Sequence, residues 1–359
     1  MRLRKKILPL SLKKAIDKLS NGYFTKRILN AQEKMQIKYR LDQLEEELAL
    51  SKNNLYSVEQ EQDSLRKEIR MLKDEFDFME NACIYKKEPD FMIIGAQKAG
   101  TSSLFDYLDS LDGFEGSRVK ETNFFDRDDD FNKGKDYYLS FFRCGKNIKS
   151  FEATPDYLYD PKTPKRINKT LNTNKFIVLL RNPVDRAYSQ WNMWRTSFLH
   201  QNKREMLERF NISKDSYFYN LMMANAYPSF NETINEDICK YHGKDVDISP
   251  GNVRRGIYYD QIERYLEYYE MENFLFLDFR DLKNNTHEVL KQVFDFLDIN
   301  GVDSQKMLDS FKMPEQNISN KGIYESKSDE DREVLEYLRD FYKPHNEKLY
   351  KLIGRRFDW

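Results

Sequence analysis

The chain has 359 residues, and its 59 lysines and arginines balance 60 aspartates and glutamates. This balance leaves no global positive field, which excludes a protein that coats nucleic acid through its net charge. Hydrophobic residues make up 40% of the chain, which is too much for a disordered protein and enough for a sizeable core.

Residues 1–89 are predicted to form a basic segment followed by an α-helical coiled coil. Between Gly22 and Pro89 there is no glycine or proline, and apolar residues alternate spacings of four and three from about residue 37 to residue 79. We favour a homodimer joined through this coiled coil; a single long helix folded back on the rest of the chain is the alternative. The apolar positions are Ile37, Leu41, Leu44, Leu48, Leu55, Val58, Leu65, Ile69, Leu72, Phe76 and Met79.

Residues 90–359 are predicted to form an α/β domain. Short apolar runs at Phe91–Ile94, Phe176–Leu180 and Phe274–Phe279 are each followed by a helical pattern, and Phe151–Ala153 is a further short strand. Runs that are apolar on both faces and separated by helices predict a P-loop-like, three-layer domain with a central, mainly parallel sheet flanked by helices. Ligands of such sheets bind just beyond the carboxyl ends of the strands.

The loop from Gly95 to Thr101 follows the first of these strands. Its terminal glycines and the helix that follows would present backbone N–H groups and a helix dipole to a phosphate-like anion, and Thr101 and Ser102 add hydroxyl donors. Lys98 stands inside the loop, where its ammonium would neutralise the charge of a transferring group. Such a site would not need the Mg²⁺ that nucleoside triphosphates require. A tight turn with a surface lysine is the alternative.

This loop departs from the nucleoside-triphosphatase pattern G-x-x-x-x-G-K-[ST]. Gly95 and Gly100 match, but the lysine stands at position 98 and Thr101 occupies the place of the expected lysine. This departure argues against a P-loop kinase that uses Mg-ATP, which is kept as the alternative enzyme hypothesis.

A second anion site is predicted where the run Phe176–Leu180 ends. Arg181 follows directly, Asn182-Pro183 suits the start of a helix, and Ser189 lies two turns along it. A guanidinium and a hydroxyl together suit a phosphate group. An ordinary ion-pair role for Arg181 is the alternative.

Other polar residues have both a functional and a structural interpretation. Lys120 and Glu121 place opposite charges at one point, which by itself favours a surface ion pair. Carboxylates at a strand end can orient a lysine or a sugar hydroxyl, and cationic and aromatic groups together suit an acidic sugar chain; core packing is the alternative. The candidate acceptor contacts of this kind are Glu152, Asp156, Arg255 and Tyr258.

The C-terminal segment is predicted to be structural. A helix is expected to begin near Ser328, Pro344 is expected to separate it from a last helix, and Gly354 can end that helix.

The two anion motifs resemble those of sulfotransferases that use 3′-phosphoadenosine 5′-phosphosulfate (PAPS). Gln97–Leu104 is similar to the loop that holds the 5′-phosphosulfate, and Leu180–Ser189 resembles the segment that holds the 3′-phosphate. The heparan-sulfate-type branch, which acts on carbohydrates, has segments similar to Lys120–Asp126, Glu152–Tyr157, Arg255–Tyr258, Ile262–Leu266 and Ser319–Gly322. The resemblance runs from about residue 90 to residue 359.

This resemblance implies a sulfuryl transfer from PAPS to a hydroxyl or amine of a saccharide, with PAP as the product and no metal. Lys98 would contact the sulfuryl group and the leaving phosphate, Glu121 would be the catalytic base, and Lys120 would orient the substrate. The implied donor-binding residues are Lys98, Ala99, Gly100, Thr101, Ser102, Arg181, Ser189, Lys321 and Gly322.

The sequence also predicts a compartment. Cys83, Cys144 and Cys239 are too few and too widely spaced for a disulfide framework or a zinc site, and no apolar stretch is long enough to span a bilayer. A cytoplasmic protein is expected, and its basic start leaves a peripheral contact with a membrane or a lipid-linked saccharide open. A coiled-coil scaffold with a degenerate nucleotide domain is the remaining alternative.

Overall fold

The chain divides into two units, Met1–Tyr85 and Lys86–Trp359. A computed structural model describes residues 87–142, 148–200, 227–242, 251–299, 301–312 and 329–359, together with a few isolated residues. The predicted heptads over residues 37–79, apart from the isolated residues Lys38, Tyr39 and Ile69, and the predicted donor contacts Lys321 and Gly322 lie outside the described residues. The coiled coil and the homodimer therefore stay predictions.

The described part of the second unit is built around a five-stranded sheet in the order β2-β3-β1-β4-β5. Every pairing in it is parallel. All residues of β1 and β4 are buried, as expected of strands that are covered on both faces. The strands are β1 Phe91–Gly95, β2 Phe114–Gly116, β3 Lys149–Ala153, β4 Phe176–Leu180 and β5 Phe274–Asp278.

Helices connect the strands and pack against them, so the predicted α/β fold with a central parallel sheet flanked by helices is confirmed. The helices of the described residues are α1 Thr101–Asp109, α2 Asp128–Phe131, α3 Lys135–Leu139, α4 Thr163–Thr170, α5 Pro183–His200, α6 Phe230–His242, α7 Tyr258–Leu266, α8 Phe279–Asn284, α9 Thr286–Phe296, α10 Val302–Ser310 and α11 Asp329–Ile353. Single 3₁₀ turns lie at Pro155–Tyr157, Arg254–Gly256 and Met271–Asn273.

The C-terminal helix corrects one prediction. Pro344 does not separate two helices, because α11 runs through it from Asp329 to Ile353. The first half of α11, through Leu338 and Tyr342, belongs to an apolar cluster with α5 and α6. Its second half, through Leu349 and Tyr350, belongs to the main core around the sheet. Packing on both sides outweighs the cost of a helical proline, about 3 kcal/mol.

The strand order brings three segments of candidate site residues to one edge of the sheet. β1 lies between β3 and β4, with Ile93 paired to Ala153 and Gly95 paired to Val178. The loop after β1, the segment after β3 and the segment after β4 therefore leave the sheet side by side. The segment after β3 also packs closely against Gly95, because a Cβ added at Gly95 would lie 2.6 Å from Leu158 Cβ.

Candidate active site

The loop after β1 has a tight backbone that includes two left-handed residues, Lys98 at φ 69° and Gly100 at φ 89°. A backbone hydrogen bond of 3.0 Å from Ala99 N to Ala96 O closes the turn. Any side chain at position 100 would meet the ring of Phe279, because a Cβ there would lie 2.9 Å from Phe279 Cδ2. Glycine is thus required at this position by both conformation and space.

Arg181, directly after β4, is tied to this loop. Its Nη1 donates a hydrogen bond of 3.0 Å to the carbonyl oxygen of Lys98, and its guanidinium lies 4.7 Å from the ring centroid of Phe279. Tyr258 Oη donates a hydrogen bond of 2.8 Å to the carbonyl oxygen of Arg181. The two predicted anion motifs, far apart in the sequence, therefore form one structural unit.

Lys98 lies in a strong local field. Burial is the main cause that lowers the pKa of its ammonium to about 8, and the positive charge of Arg181 lowers it further. The carboxylate of Glu121 acts in the opposite direction, so both groups are within electrostatic reach of Lys98. A bound anion at this position would favour the charged lysine.

The hydroxyl residues of the two motifs lie on helices. Thr101 is the first residue of α1 and is buried, whereas Ser102 is exposed beside it at the positive end of the helix. Ser189 is half-buried on α5, the helix that begins two residues after Arg181.

Glu121 lies in a turn next to the end of β3. Its Oε1 is 2.7 Å from Lys120 Nζ, and its side chain is 45% exposed, against 15% for that of Lys120. The backbone of Glu121 is left-handed at φ 65°, and its N–H donates to the carbonyl oxygen of Ala153 at 3.2 Å. The turn thus fixes the backbone of Glu121 and leaves the carboxylate accessible.

Glu152, a predicted acceptor contact, is completely buried inside β3. Its Oε2 accepts hydrogen bonds from Thr122 Oγ1 at 2.7 Å and Thr154 Oγ1 at 2.8 Å, and its Oε1 accepts one from Tyr138 Oη. Burial raises the pKa of this carboxyl, and these hydrogen bonds oppose the shift. A carboxylate so enclosed faces the protein, so the geometry argues against direct contact with an acceptor.

Tyr258, another predicted acceptor contact, is also buried, and its hydroxyl is turned toward Arg181. Asp156 and Arg255 are more accessible and form an ion pair with each other. The guanidinium of Arg255 also lies 4.1 Å from the ring centroid of Tyr159. Of the four predicted acceptor contacts, these two therefore have the better access to solvent.

Asp126 is a candidate to which the sequence analysis gave no role. Its Oδ1 is buried without a hydrogen-bond partner. Burial first, and then the negative charge of Asp156, raises the pKa of this carboxyl to about 7. The sequence signals were its place at the end of the segment Lys120–Asp126, which resembles the heparan-sulfate-type branch, and the apolar pair Phe124-Phe125 before it.

A cavity of about 260 Å³ opens beside Arg181. Phe279 and Trp359 line it with aromatic rings. Arg280 and Lys283 add positive charge, which the carboxylates of Asp185, Asp278 and Asp358 on the same wall oppose; Arg280 forms an ion pair with Asp358. Trp359 is held at the edge of β5 by a hydrogen bond of 3.3 Å from its Nε1 to Asp278 Oδ2. The cavity has room for a planar ligand that lies against the aromatic rings and also contacts Arg181.

Comparison with known proteins places this arrangement in a family. A family model described as the sulfotransferase domain matches residues 88–340. The chain belongs to the sulfotransferase family. The resemblance inferred from the two anion motifs is thereby confirmed at the level of the family.

Several curated relatives have carbohydrate or membrane-related names. The chain is 25% identical over 327 residues to the membrane-associated sulfotransferase kil1 of Dictyostelium discoideum, with 76% of this chain and 66% of that protein covered. It is 26% identical over 287 residues to the mouse heparan sulfate glucosamine 3-O-sulfotransferase 3B1, with 76% and 65% covered. It is 27% identical over 283 residues to the human heparan sulfate glucosamine 3-O-sulfotransferase 5, with 76% of this chain and 74% of that protein covered. The chain thus spans just under two thirds of the first two relatives.

A solved structure supports the fold. The crystal structure of a sulfotransferase from Alicyclobacillus acidocaldarius superposes with a TM-score of 0.53 at 23% identity, covering 76% of this chain and 98% of that one.

In the part of the chain that the structure describes, no group of His, Cys, Asp and Glu is placed to hold a metal ion. Within the same residues, no helix is both long and apolar enough to cross a membrane.

Proposed function

We propose that the chain transfers a sulfuryl group from PAPS to a hydroxyl or amine of a saccharide. The observation that carries this proposal is the junction of the two anion motifs, where Arg181 Nη1 donates to the carbonyl oxygen of Lys98 at 3.0 Å. A donor with phosphates at both its 5′ and 3′ positions needs two anion sites at a fixed separation. A nucleoside triphosphate, with its phosphates in one row, does not.

The donor would lie across the carboxyl ends of β1 and β4. Its 5′-phosphosulfate would meet the backbone of Ala99 and Gly100, the hydroxyls of Thr101 and Ser102, and the ammonium of Lys98. Arg181 and Ser189 would bind the 3′-phosphate, and the cavity beside Arg181 has room for part of the nucleoside. Lys321 and Gly322 are proposed to complete the donor site.

The transfer itself is proposed as an in-line displacement. Glu121 accepts the proton of the acceptor hydroxyl or amine, the acceptor atom forms a bond to sulfur, and the bond from sulfur to the 5′-phosphate oxygen breaks. PAP leaves with the additional negative charge, which the ammonium of Lys98 stabilises. Lys120, whose Nζ lies 2.7 Å from Glu121 Oε1, would orient the acceptor.

The acceptor assignment is supported by the names of the relatives and by the exposure of the Glu121 carboxylate. Asp156 and Arg255, which are half-buried and paired with each other, are hydrogen-bonding groups suited to a polyhydroxylated ligand. We therefore propose a saccharide, free or lipid-linked. A cytoplasmic location with peripheral membrane contact stays a prediction.

Calorimetric titration with PAP, and separately with ATP and Mg²⁺, tests the donor assignment without the acceptor. Tight binding of PAP in the absence of metal supports the proposal and justifies a screen of saccharides with labelled PAPS. A preference for Mg-ATP would instead indicate a kinase. Binding of neither ligand would favour a scaffold with a degenerate nucleotide domain.

A further inference from the structure

Phe279 connects the elements of the proposed donor site. It is the first residue of α8, directly after β5, and its side chain is half-buried. The guanidinium of Arg181 lies 4.7 Å from the centroid of its ring. The same ring closes the space above Gly100, whose added Cβ would lie 2.9 Å from Cδ2 and 3.2 Å from Cε2. One ring thus contacts both anion-binding segments.

These contacts restrict an otherwise flexible side chain. A free arginine has many rotamers, and binding an anion in one of them costs the free energy of ordering the others. A cation over an aromatic face is attracted by about 0.5 to 2 kcal/mol, depending on how far the pair is removed from water. Together with the hydrogen bond to the carbonyl oxygen of Lys98, the ring fixes the direction of the Arg181 guanidinium before any ligand arrives.

We propose that Phe279 is a positioning residue that holds Arg181 for the 3′-phosphate and so gives the site its preference for a 3′-phosphorylated nucleotide. The proposal rests on the donor assignment made above. It differs from a role as a stacking platform for the base, which the ring's position on the cavity wall would also permit. A stacking ring would bind nucleotides with and without a 3′-phosphate equally, whereas a ring that acts through Arg181 distinguishes them.

The test compares PAP with adenosine 5′-phosphate, which lacks the 3′-phosphate, by displacement calorimetry. Phe279→Leu keeps an apolar side chain without a ring, and we expect the Kd for PAP to rise about five-fold while the Kd for adenosine 5′-phosphate changes less than two-fold. Phe279→Tyr keeps the ring and should restore the preference. Phe296→Leu is the matched control, since Phe296 is another half-buried ring beside a cation, 5.3 Å from Lys175 Nζ.

A double-mutant cycle separates action through Arg181 from a change in packing. In an Arg181→Ala background, Phe279→Leu should have no further effect on PAP binding. Equal losses for both nucleotides, or a five-fold loss that persists without Arg181, would overturn the proposal. Phe279→Met replaces Phe279→Leu if thermal melting shows that the leucine variant is not folded. If the unaltered protein binds neither nucleotide, the donor assignment itself has failed, which is a separate result.

Discussion

On the side of β1 and β4, the site residues are held mainly by backbone geometry: a loop with left-handed residues at 98 and 100, joined to Arg181 through a carbonyl oxygen. On the side of β3, the segment with Glu121 also has a left-handed backbone, at Glu121 and Asn123, but it is additionally held by buried side chains, with Thr122 and Tyr138 hydrogen-bonded to Glu152. The first arrangement depends on which residues can adopt a conformation. The second depends on polar groups that must all keep their partners.

This difference separates the expected effects of substitution. A change on the β1 and β4 side removes a charge or a conformation at the surface of the site, so it should alter nucleotide binding before it alters stability. A change in the Glu152 cluster leaves buried polar groups without partners, so it should alter stability first. The predictions below test whether the two sides are as separate as their construction indicates.

The largest expected effect is on turnover. Glu121→Gln keeps the shape of the side chain and removes its ability to accept a proton, so kcat should fall by about 10²- to 10⁴-fold. The Kd for PAP should stay within two-fold, because Glu121 is not among the proposed donor contacts. Steady-state kinetics with labelled PAPS measures the first quantity and calorimetry the second. Unchanged turnover would remove Glu121 from the mechanism.

The next effect is on stability. Glu152→Ala leaves Thr122, Thr154 and Tyr138 without their acceptor, and we expect the free energy of unfolding to fall by about 3 kcal/mol. Urea unfolding followed by circular dichroism measures this change. Glu333→Ala, at an exposed position of α11, is the control and should change stability by less than about 0.5 kcal/mol. Equal effects would show that the buried cluster contributes little.

Nucleotide selectivity should respond on the other side. Arg181→Ala is expected to weaken PAP binding by about 10- to 100-fold, since a charge-assisted hydrogen bond to a phosphate is worth about 1.5 to 3 kcal/mol. Binding of adenosine 5′-phosphate should change little. Arg356→Ala, which removes an exposed ion pair with Glu347, is the control. Equal weakening of both nucleotides would contradict the assignment of Arg181 to the 3′-phosphate.

The last expected effect is a dependence of stability on pH that comes from Asp126. The folded protein keeps a proton on this carboxyl up to about pH 7, while the unfolded chain releases it near its ordinary pKa of 3.8. Because the folded state binds more protons between these values, the Asp126 contribution to stability decreases as the pH rises from about 4 to about 7. Asp126→Asn should flatten this part of the profile in urea unfolding series, whereas Asp129→Asn, at an exposed position, should not. Parallel profiles for both variants would argue against a raised pKa.

The sequence predicted the strands, the loop and the helix starts of the β1 and β4 side because the signal for each lies in consecutive residues; that these segments bind the donor stays a prediction. Gly100, Thr101 and Arg181 each follow an apolar run whose carboxyl end the parallel sheet places at one edge. The Glu152 cluster was not predictable in this way, since Tyr138 is 14 residues from Glu152 and Thr122 is 30 residues from it. No local period relates such positions, so the sequence alone does not show that the fold encloses Glu152. The prediction that Glu152 contacts the acceptor comes from this gap.

Two other differences also come from contacts between segments that are distant in the sequence. β2 has only three residues, too few for a hydrophobic period, and it is defined by its pairing with β3. Tyr258 was expected to contact the acceptor because tyrosines near arginines suit sugars. Its hydroxyl instead supports the backbone of Arg181, a contact over 77 residues of sequence.

The uninterrupted course of α11 has a consequence for the cooperativity of the domain. One helix carries Leu338 in the apolar cluster of α5 and α6 and Leu349 in the core around the sheet. As long as α11 stays helical, a loss of packing in one cluster therefore also disturbs the other cluster. We expect the two clusters to unfold together in one cooperative transition. Pro344, inside α11, is the position at which we expect the helix to break if only one of its halves lost its packing, and the two clusters could then unfold separately.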